Sequence, residues 1–366
     1  MVEKRDKRNM SLRIDRIELD TDRRVLCTSD VHGNCSGLIE LLERVEYSDD
    51  DQLIILGDIV HKAIDNGLET LRLVMKLQED NPDVHVVCGN CDYATIELLE
   101  MEEYTEHFMS YINMKGCILN EMAKEIGLDY KDMSVSDIKE VLSKEFAEEI
   151  EWLRELPQII DTPYMTFVHA GITSEKLEDN DFEGVMSMRF FNDKAPCFSK
   201  YVMVGHYPTA NYCDFIASCN PFVNEDKKII HIDGGNGVKS DGQLNMLEFD
   251  DISTLEFKNH FVRLGKELVA TREQEVSTSG KSITWNDCEV SIVETNGDEI
   301  IVEHISSGYK MKVGINDTYE YQDKLCLIDT TDYRLPIKKG DVLKVYRETS
   351  SSYYVSKDGM LGWYDK

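Results

Sequence analysis

Five short, largely apolar runs, at residues 25–27, 53–56, 84–87, 164–168 and 201–204, each give way to a polar segment carrying Asp, Asn or His. Runs of this length without polar alternation form strands covered on both faces, as in parallel sheets. Between the first three lie residues 36–45 and 68–77, whose large apolar side chains recur at helical spacing. Strand, helix, strand in repetition commits the chain to an α/β fold. Open sheets of this class gather functional groups at the carboxyl ends of their strands, so the polar segments are where a site belongs.

The first run leads into Asp30-Val31-His32-Gly33. Two residues apart on extended backbone, the carboxylate and the imidazole point to the same side and can share one cation. The later runs end in Gly57-Asp58, Gly89-Asn90-Cys91-Asp92, His169-Ala170-Gly171 and Gly205-His206-Tyr207-Pro208, and a further run at 228–232 ends in Asp233-Gly234-Gly235. Any one of these alone reads as a turn, a helix cap or a core histidine. Together, Asp30, His32, Asp58, Asn90, His169 and His206 offer carboxylate oxygen with imidazole nitrogen, which suits Mn, Fe or Zn and suits calcium poorly. Two such ions about 3.5 to 4 Å apart activate a bridging water and hold both the attacking and phosphoryl oxygens. The chemistry that follows is phosphoester hydrolysis.

With 366 residues, of which 42% are hydrophobic, the chain is long enough for two domains. Residues 1–20 read as an extension and 21–265 as the α/β domain, with a Glu-rich helical insertion at about 94–156. Residues 266–282 read as a linker and 283–366, with its short alternating runs and Gly-containing turns, as a small β domain. This division predicts a core that survives truncation near Lys281. The ten cysteines are scattered, and Cys88 and Cys91 form a lone Cys-x-x-Cys, so disulfides and a zinc ribbon are poor readings. A net charge of −30 argues against nucleic acid as a partner, the basic run Lys4–Arg8 notwithstanding. With no apolar run long enough for a membrane and no signal-like N-terminus, the expected location is cytoplasmic.

The ordered motifs resemble the calcineurin-like metallophosphoesterase superfamily over roughly residues 20–260, and within it the branch of serine/threonine protein phosphatases and diadenosine-polyphosphate hydrolases. The resemblance implies that Asp30, His32 and Asp58 hold one metal and that Asp58, Asn90, His169 and His206 hold the other. It also implies a metal-bridging hydroxide as nucleophile. Departures from the family pattern fall on the groups that would handle phosphate and protons. Lys62 stands where that branch carries a phosphate-clamping arginine, and supplies charge without a planar fork. Cys91 stands in place of the usual general-acid histidine beside Asp92, and a thiol could donate a proton in its stead. His61 is a second candidate donor, and Arg189 a candidate second phosphate contact.

The C-terminal stretch, through Lys338-Lys339-Gly340-Asp341 and Gly362-Trp363-Tyr364, resembles bacterial SH3-like modules, which implies intramolecular or protein contact. The expectation is a dinuclear-metal phosphoester hydrolase of the serine/threonine protein phosphatase type, acting on a phosphorylated protein or small phosphoester. The alternatives are dinucleoside polyphosphate hydrolysis, or a catalytically weakened metal-binding scaffold.

Overall fold

The apolar runs are strands in the computed structural model, which describes residues 11–366. The basic run Lys4–Arg8 and residues 1–10 of the expected extension lie outside the described residues. Two compact units divide the chain, the first holding residues up to Tyr207 with Pro221–Val238 and Leu244–Val262. It begins with β1 (Ile14–Arg16), β2 (Val25–Thr28), α1 (Cys35–Arg44), β3 (Gln52–Ile55), α2 (Gly67–Asp80) and β4 (Val84–Val86). The helical insertion follows as α3 (Asn90–Glu100), α4 (Thr105–Ile112), α5 (Ile118–Glu125), α6 (Val135–Glu145) and α7 (Ala147–Glu155). Then come β5 (Ile159–Asp161), β6 (Met165–Val168), α8 (Phe182–Ser187), β7 (Tyr201–Val204), β8 (Phe222–Asn224), β9 (Ile229–His231), β10 (Leu244–Phe249) and β11 (Phe257–Val262).

These strands form two sheets, ordered β11-β10-β2-β3-β4 and β1-β5-β6-β7-β9-β8. β2, β3 and β4 are mutually parallel, as are β6, β7 and β9. Their sequences are continuously apolar because each strand has two faces to bury. Leu26, Leu53, Ile55 and Val86 share a core with Leu38 of α1 and with Leu71 and Val74 of α2. Val25, Cys27, Ile54 and Leu56 turn the other way, onto Phe167, Met203 and Ile230 of the second sheet. Each such side chain stabilises the sandwich by roughly 1.5–3 kcal/mol. The insertion is no detached cap, since Phe108, Leu119, Ile138, Leu142 and Leu153 enter the core that lies under α1 and α2. Among the described residues no helix is long and apolar enough to cross a membrane, and no cysteine is in a disulfide.

The second unit holds Pro208–Asn220, Lys239–Gln243 and Arg263–Lys366. Its strands are β12 (Lys266–Val269), β13 (Ser282–Ile283), β14 (Val290–Asn296), β15 (Glu299–His304), β16 (Lys310–Gly314) and β17 (Thr318–Tyr321). β18 (Lys324–Leu327), β19 (Thr330–Thr331), β20 (Val342–Glu348), β21 (Ser352–Lys357) and β22 (Met360–Asp365) complete it. They pair as β12-β20-β21-β22, β13-β19, β14-β15-β16 and β17-β18, so the unit is all β with small antiparallel sheets.

Two expectations about its limits need correction. The start of the supposed linker is β12, an edge strand whose Leu268 and Val269 pair with Leu343 and Val342. Residues 208–220 and 239–243, assigned by sequence to the α/β domain, cluster with the β unit instead. The Cys219 N–H donates to the Gly359 carbonyl at 2.8 Å, the Leu361 N–H to Ala217 at 2.9 Å, and the Ser282 N–H to Asp214 at 2.8 Å. Ala210, Ala217 and Cys219 are buried with Tyr354, Leu361 and Trp363.

Candidate metal centre

The segments after β2, β3, β4, β6 and β7 converge, and backbone hydrogen bonds join them to one another beyond the ends of the strands. Asp30 N–H donates to Gly57 at 3.0 Å, His32 N–H to Asp58 at 2.8 Å, Gly33 N–H to Ile59 at 2.8 Å and Gly205 N–H to His169 at 2.9 Å. To turn so tightly, the backbone enters the left-handed region at Asp30 (φ 53°), His32 (44°), Asp58 (53°), His61 (63°), Lys62 (51°) and His206 (63°). Each such residue stores roughly 1–3 kcal/mol of strain, which the neighbouring loops must hold in place. Asp and His tolerate this conformation better than most residues.

Two imidazoles are oriented from behind. The Nδ1–H of His169 donates to the Leu56 carbonyl at 2.7 Å, and that of His32 to the His61 carbonyl at 3.2 Å. A carbonyl can only accept, so both rings carry the proton on Nδ1 and aim an Nε2 lone pair forward. Those lone pairs face other acceptors. His169 Nε2 lies 3.3 Å from Asp58 Oδ1 and 3.1 Å from Asn90 Oδ1. His32 Nε2 lies 3.6 Å from Asp58 Oδ2 and 3.9 Å from Asp30 Oδ1. Donor atoms of Asp58, His169 and His206 all fall within 4.8 Å of one another, as do those of His32, Asp58 and Cys91.

This arrangement fits a pair of cations better than it fits a hydrogen-bond network. Ligands at right angles around an ion with bonds of roughly 2.1 Å are about 3 Å apart, which is close to the spacing here. Burial lowers His32 to about 4, and burial with His169 beside it lowers His206 to about 3, so neither ring offers a positive charge of its own near neutrality. Burial, with the Asp58 charge adding to it, pushes Asp30 up to about 8 and Asp92 up to about 7. Crowded carboxyls facing neutral lone pairs call for positive charge between them.

The remaining candidates are placed differently. Asp92 is fully buried, with Oδ1 accepting from Ile59 N–H at 2.8 Å and Val60 N–H at 3.2 Å, and Oδ2 from Gly89 N–H at 2.9 Å. It ties the loop after β3 to the start of α3. The His61 ring is buried and its Nε2 is 3.1 Å from Thr95 Oγ1 on α3. Lys62 and Arg189 are exposed, Arg189 in the turn after α8.

Sequence reading missed two residues that hold the first loop, Asn236 and Ser29, and a carboxylate buried near it, Asp233. Asn236 Nδ2 donates to the Val31 carbonyl at 2.8 Å and to that of Asp30 at 3.1 Å. Ser29 donates its hydroxyl to Asp30 Oδ2, and Asp233, at the end of the β9 segment, is buried with burial and Asp30 raising its pKa. Asp233 had the available signal, a further strand end with a carboxylate; Asn236 had none.

Gly205 leaves no space for a side chain, because a Cβ there would lie 1.8 Å from Ser29 Oγ and 2.2 Å from Asp30 Oδ2. Gly205→Ala is expected to displace Asp30 and weaken binding of one ion, by roughly 10- to 100-fold in affinity. Calorimetric titration of the purified variant with Mn²⁺ measures this. Wild-type affinity at both sites would show that the contact relaxes harmlessly.

The sequence profile of the calcineurin-like phosphoesterases matches residues 23–218. No curated protein sequence matches the chain. Among solved structures, a provisionally assigned diadenosine tetraphosphatase is similar at 18% identity and a TM-score of 0.45, covering 69% of this chain and 100% of that one. A serine/threonine protein phosphatase from Saccharomyces cerevisiae is similar at 9% identity and a TM-score of 0.42, covering 70% and 85%. A metallophosphoesterase from Sphaerobacter thermophilus is similar at 18% identity and a TM-score of 0.37, covering 66% and 88%.

Proposed function

The chain belongs to the calcineurin-like phosphoesterase family, a family of metal-dependent hydrolases, and from that premise we propose that it removes phosphate from phosphoserine or phosphothreonine of a protein. In this reading Asp30, His32 and Asp58 hold one ion, and Asp58, Asn90, His169 and His206 hold the other. The observation that carries it is the placing of two differently anchored imidazoles on the two oxygens of Asp58. Mn or Fe suits this donor set, and Zn is compatible with it. When bound, such ions supply Lewis acidity and a water acidic enough to attack near neutral pH.

Around them the chain supplies positioning and charge. Partial loss of water works against the Lys62 ammonium even though much of its side chain is exposed, but the charges of Asp58 and Asp30 favour the cation and the pKa is raised, so Lys62 is a cation for phosphate oxygens. Arg189 is the second such group in this reading. Asp92 acts by fixing the loop that carries Asp58 rather than by moving a proton. Burial pushes the Cys91 thiol well up, with the Asp58 charge adding to it, which makes it a weak acid. The His61 ring is occupied by Thr95. The β unit is read as an SH3-like module for protein contact, supported by its Lys338–Asp341 turn, where Asp341 Oδ2 accepts from Lys338 N–H at 2.8 Å.

The weak acid at position 91 favours a second reading, cleavage of a dinucleoside polyphosphate, since a phosphate leaving group needs no proton and a serine alkoxide does. A substrate panel with added Mn²⁺ separates the two. An aryl phosphate and a phosphothreonine peptide are expected to turn over, the aryl ester faster by the roughly 10²- to 10⁴-fold that general acid catalysis otherwise supplies. Turnover of a diadenosine polyphosphate but not of the peptide would select the second reading. Turnover of none of the three would overturn both.

A further inference from the structure

Asp30, His32 and Asp58 give their ion three donors, fewer than any of its candidate metals takes up. A further donor lies beside two of them. Donor atoms of Cys91, His32 and Asp58 all fall within 4.8 Å of one another, and all three residues are buried. We propose that the Cys91 sulfur is a ligand of the ion held by Asp30, His32 and Asp58; this rests on the two-ion reading above and adds a residue to it.

The local structure holds the sulfur in that position. α3 starts at Asn90, and the Cys91 N–H donates to Asp58 Oδ1 at 2.8 Å, which fixes the Cys91 main chain against the shared carboxylate. On the facing loop, the Nδ1–H of His32 is tied to the His61 carbonyl, which keeps Nε2 turned to the same carboxylate. Asn90 serves both sides. Its Oδ1 lies 3.1 Å from His169 Nε2, while its Nδ2 is 3.5 Å from the Cys91 sulfur as a donor. An N–H directed at a coordinating sulfur is the kind of supporting contact that orients a metal ligand. Cys88 is the contrast three residues earlier, also buried, with its thiol turned to the carbonyl of Gly89 at 3.6 Å and, among the described residues, in no group of three possible metal ligands.

Binding exchanges the S–H bond for an S–metal bond, and the proton leaves to solvent. The exchange changes which ions the site prefers. Oxygen and nitrogen donors alone accept Mn²⁺ readily, whereas a thiolate draws the site towards Zn²⁺, Fe²⁺ or Co²⁺. It also removes Cys91 from the list of proton donors, because a coordinated sulfur carries no proton to give.

The test uses the full chain with cobalt in place of the resident metal. Co²⁺-loaded protein is expected to show a strong near-ultraviolet sulfur-to-cobalt charge-transfer band that Cys91→Ser lacks, while the visible cobalt bands persist in both. Zn²⁺ affinity should fall by roughly 10- to 100-fold in Cys91→Ser, and Mn²⁺ affinity by less. The remaining nine cysteines are shared by both proteins, so they cannot produce the difference. Should Cys91→Ser fail to fold, X-ray absorption on zinc-loaded wild type decides instead, with a sulfur neighbour at about 2.3 Å expected. Identical cobalt spectra, or only nitrogen and oxygen around zinc, would overturn the sulfur ligand and leave the two-ion reading standing. Protein that binds no ion at all would overturn the two-ion reading itself.

Discussion

Asp58→Asn is expected to empty both ion sites and to lower aryl phosphate turnover by more than the roughly 10²- to 10³-fold that removing one stabilising donor costs in other enzymes. The reason lies in the geometry of one carboxylate, whose Oδ1 faces His169 at 3.3 Å and whose Oδ2 faces His32 at 3.6 Å. An amide keeps one oxygen, which the Cys91 N–H already engages at 2.8 Å in the parent side chain, and turns an NH₂ towards an imidazole lone pair. That new donor satisfies His32 without a cation. Chelated Asp58→Asn should accordingly be at least as stable as the chelated parent, by about 1 kcal/mol, the usual net worth of a hydrogen bond. Metal analysis after desalting, with His32→Ala and His169→Ala each losing a single ion, checks the sharing. Full occupancy in Asp58→Asn would remove the carboxylate from its bridging place.

Much of this site could be read from sequence because it is built at strand ends. A continuous apolar run such as 53–56 announces a strand with both faces covered, and the polar residue after it becomes a site candidate once several strand ends carry the same kind of group. The same logic singled out Asp30, Asn90, His169 and His206 as candidates, and the structure brings them together around His32 and Asp58. What failed was anything decided by side-chain direction or by distant pairing. Sequence sets Asp92 only as the acidic neighbour of Cys91, and does not show that three backbone N–H groups engage its oxygens. β12 was missed because Lys266 and Glu267 face solvent on an edge strand, leaving no alternation to see. Residues 208–220 carry no local mark of their partners, which lie far downstream at Ser282 of β13 and in β21, β22 and the turn between them.

Those partners set the second large effect. A chain ending at Lys281 is expected to lose cohesion well beyond the removed part, contrary to what composition suggests. It would lack Ser282, Gly359 and Leu361, whose backbone groups pair with Asp214, Cys219 and Ala217, and the aromatic cover of Tyr354 and Trp363. Three lost hydrogen bonds at about 0.5–1.5 kcal/mol each, together with newly exposed apolar surface, amount to roughly 2–5 kcal/mol. At about 2–4 °C per kcal/mol, a drop of roughly 4–20 °C in Tm should follow. Limited proteolysis should cut the truncated chain within 208–220 and spare the intact one. An unchanged Tm and an uncut loop would show that residues 11–262 stand alone.

The loops that carry the candidate ligands are laced to one another by backbone hydrogen bonds, from Asp30 to Gly57, His32 to Asp58, Gly33 to Ile59 and Gly205 to His169. In a zinc finger the ion is what folds the chain, and stripping it unravels the domain. Here the links between the loops run through backbone hydrogen bonds, so chelated protein is expected to keep its fold. An ion that does not hold the fold together is expected to be exchangeable, so that the metal found in a preparation would depend on the medium that produced it. One batch of protein can be stripped and refilled in turn with manganese, iron and zinc, and their activities compared on identical molecules.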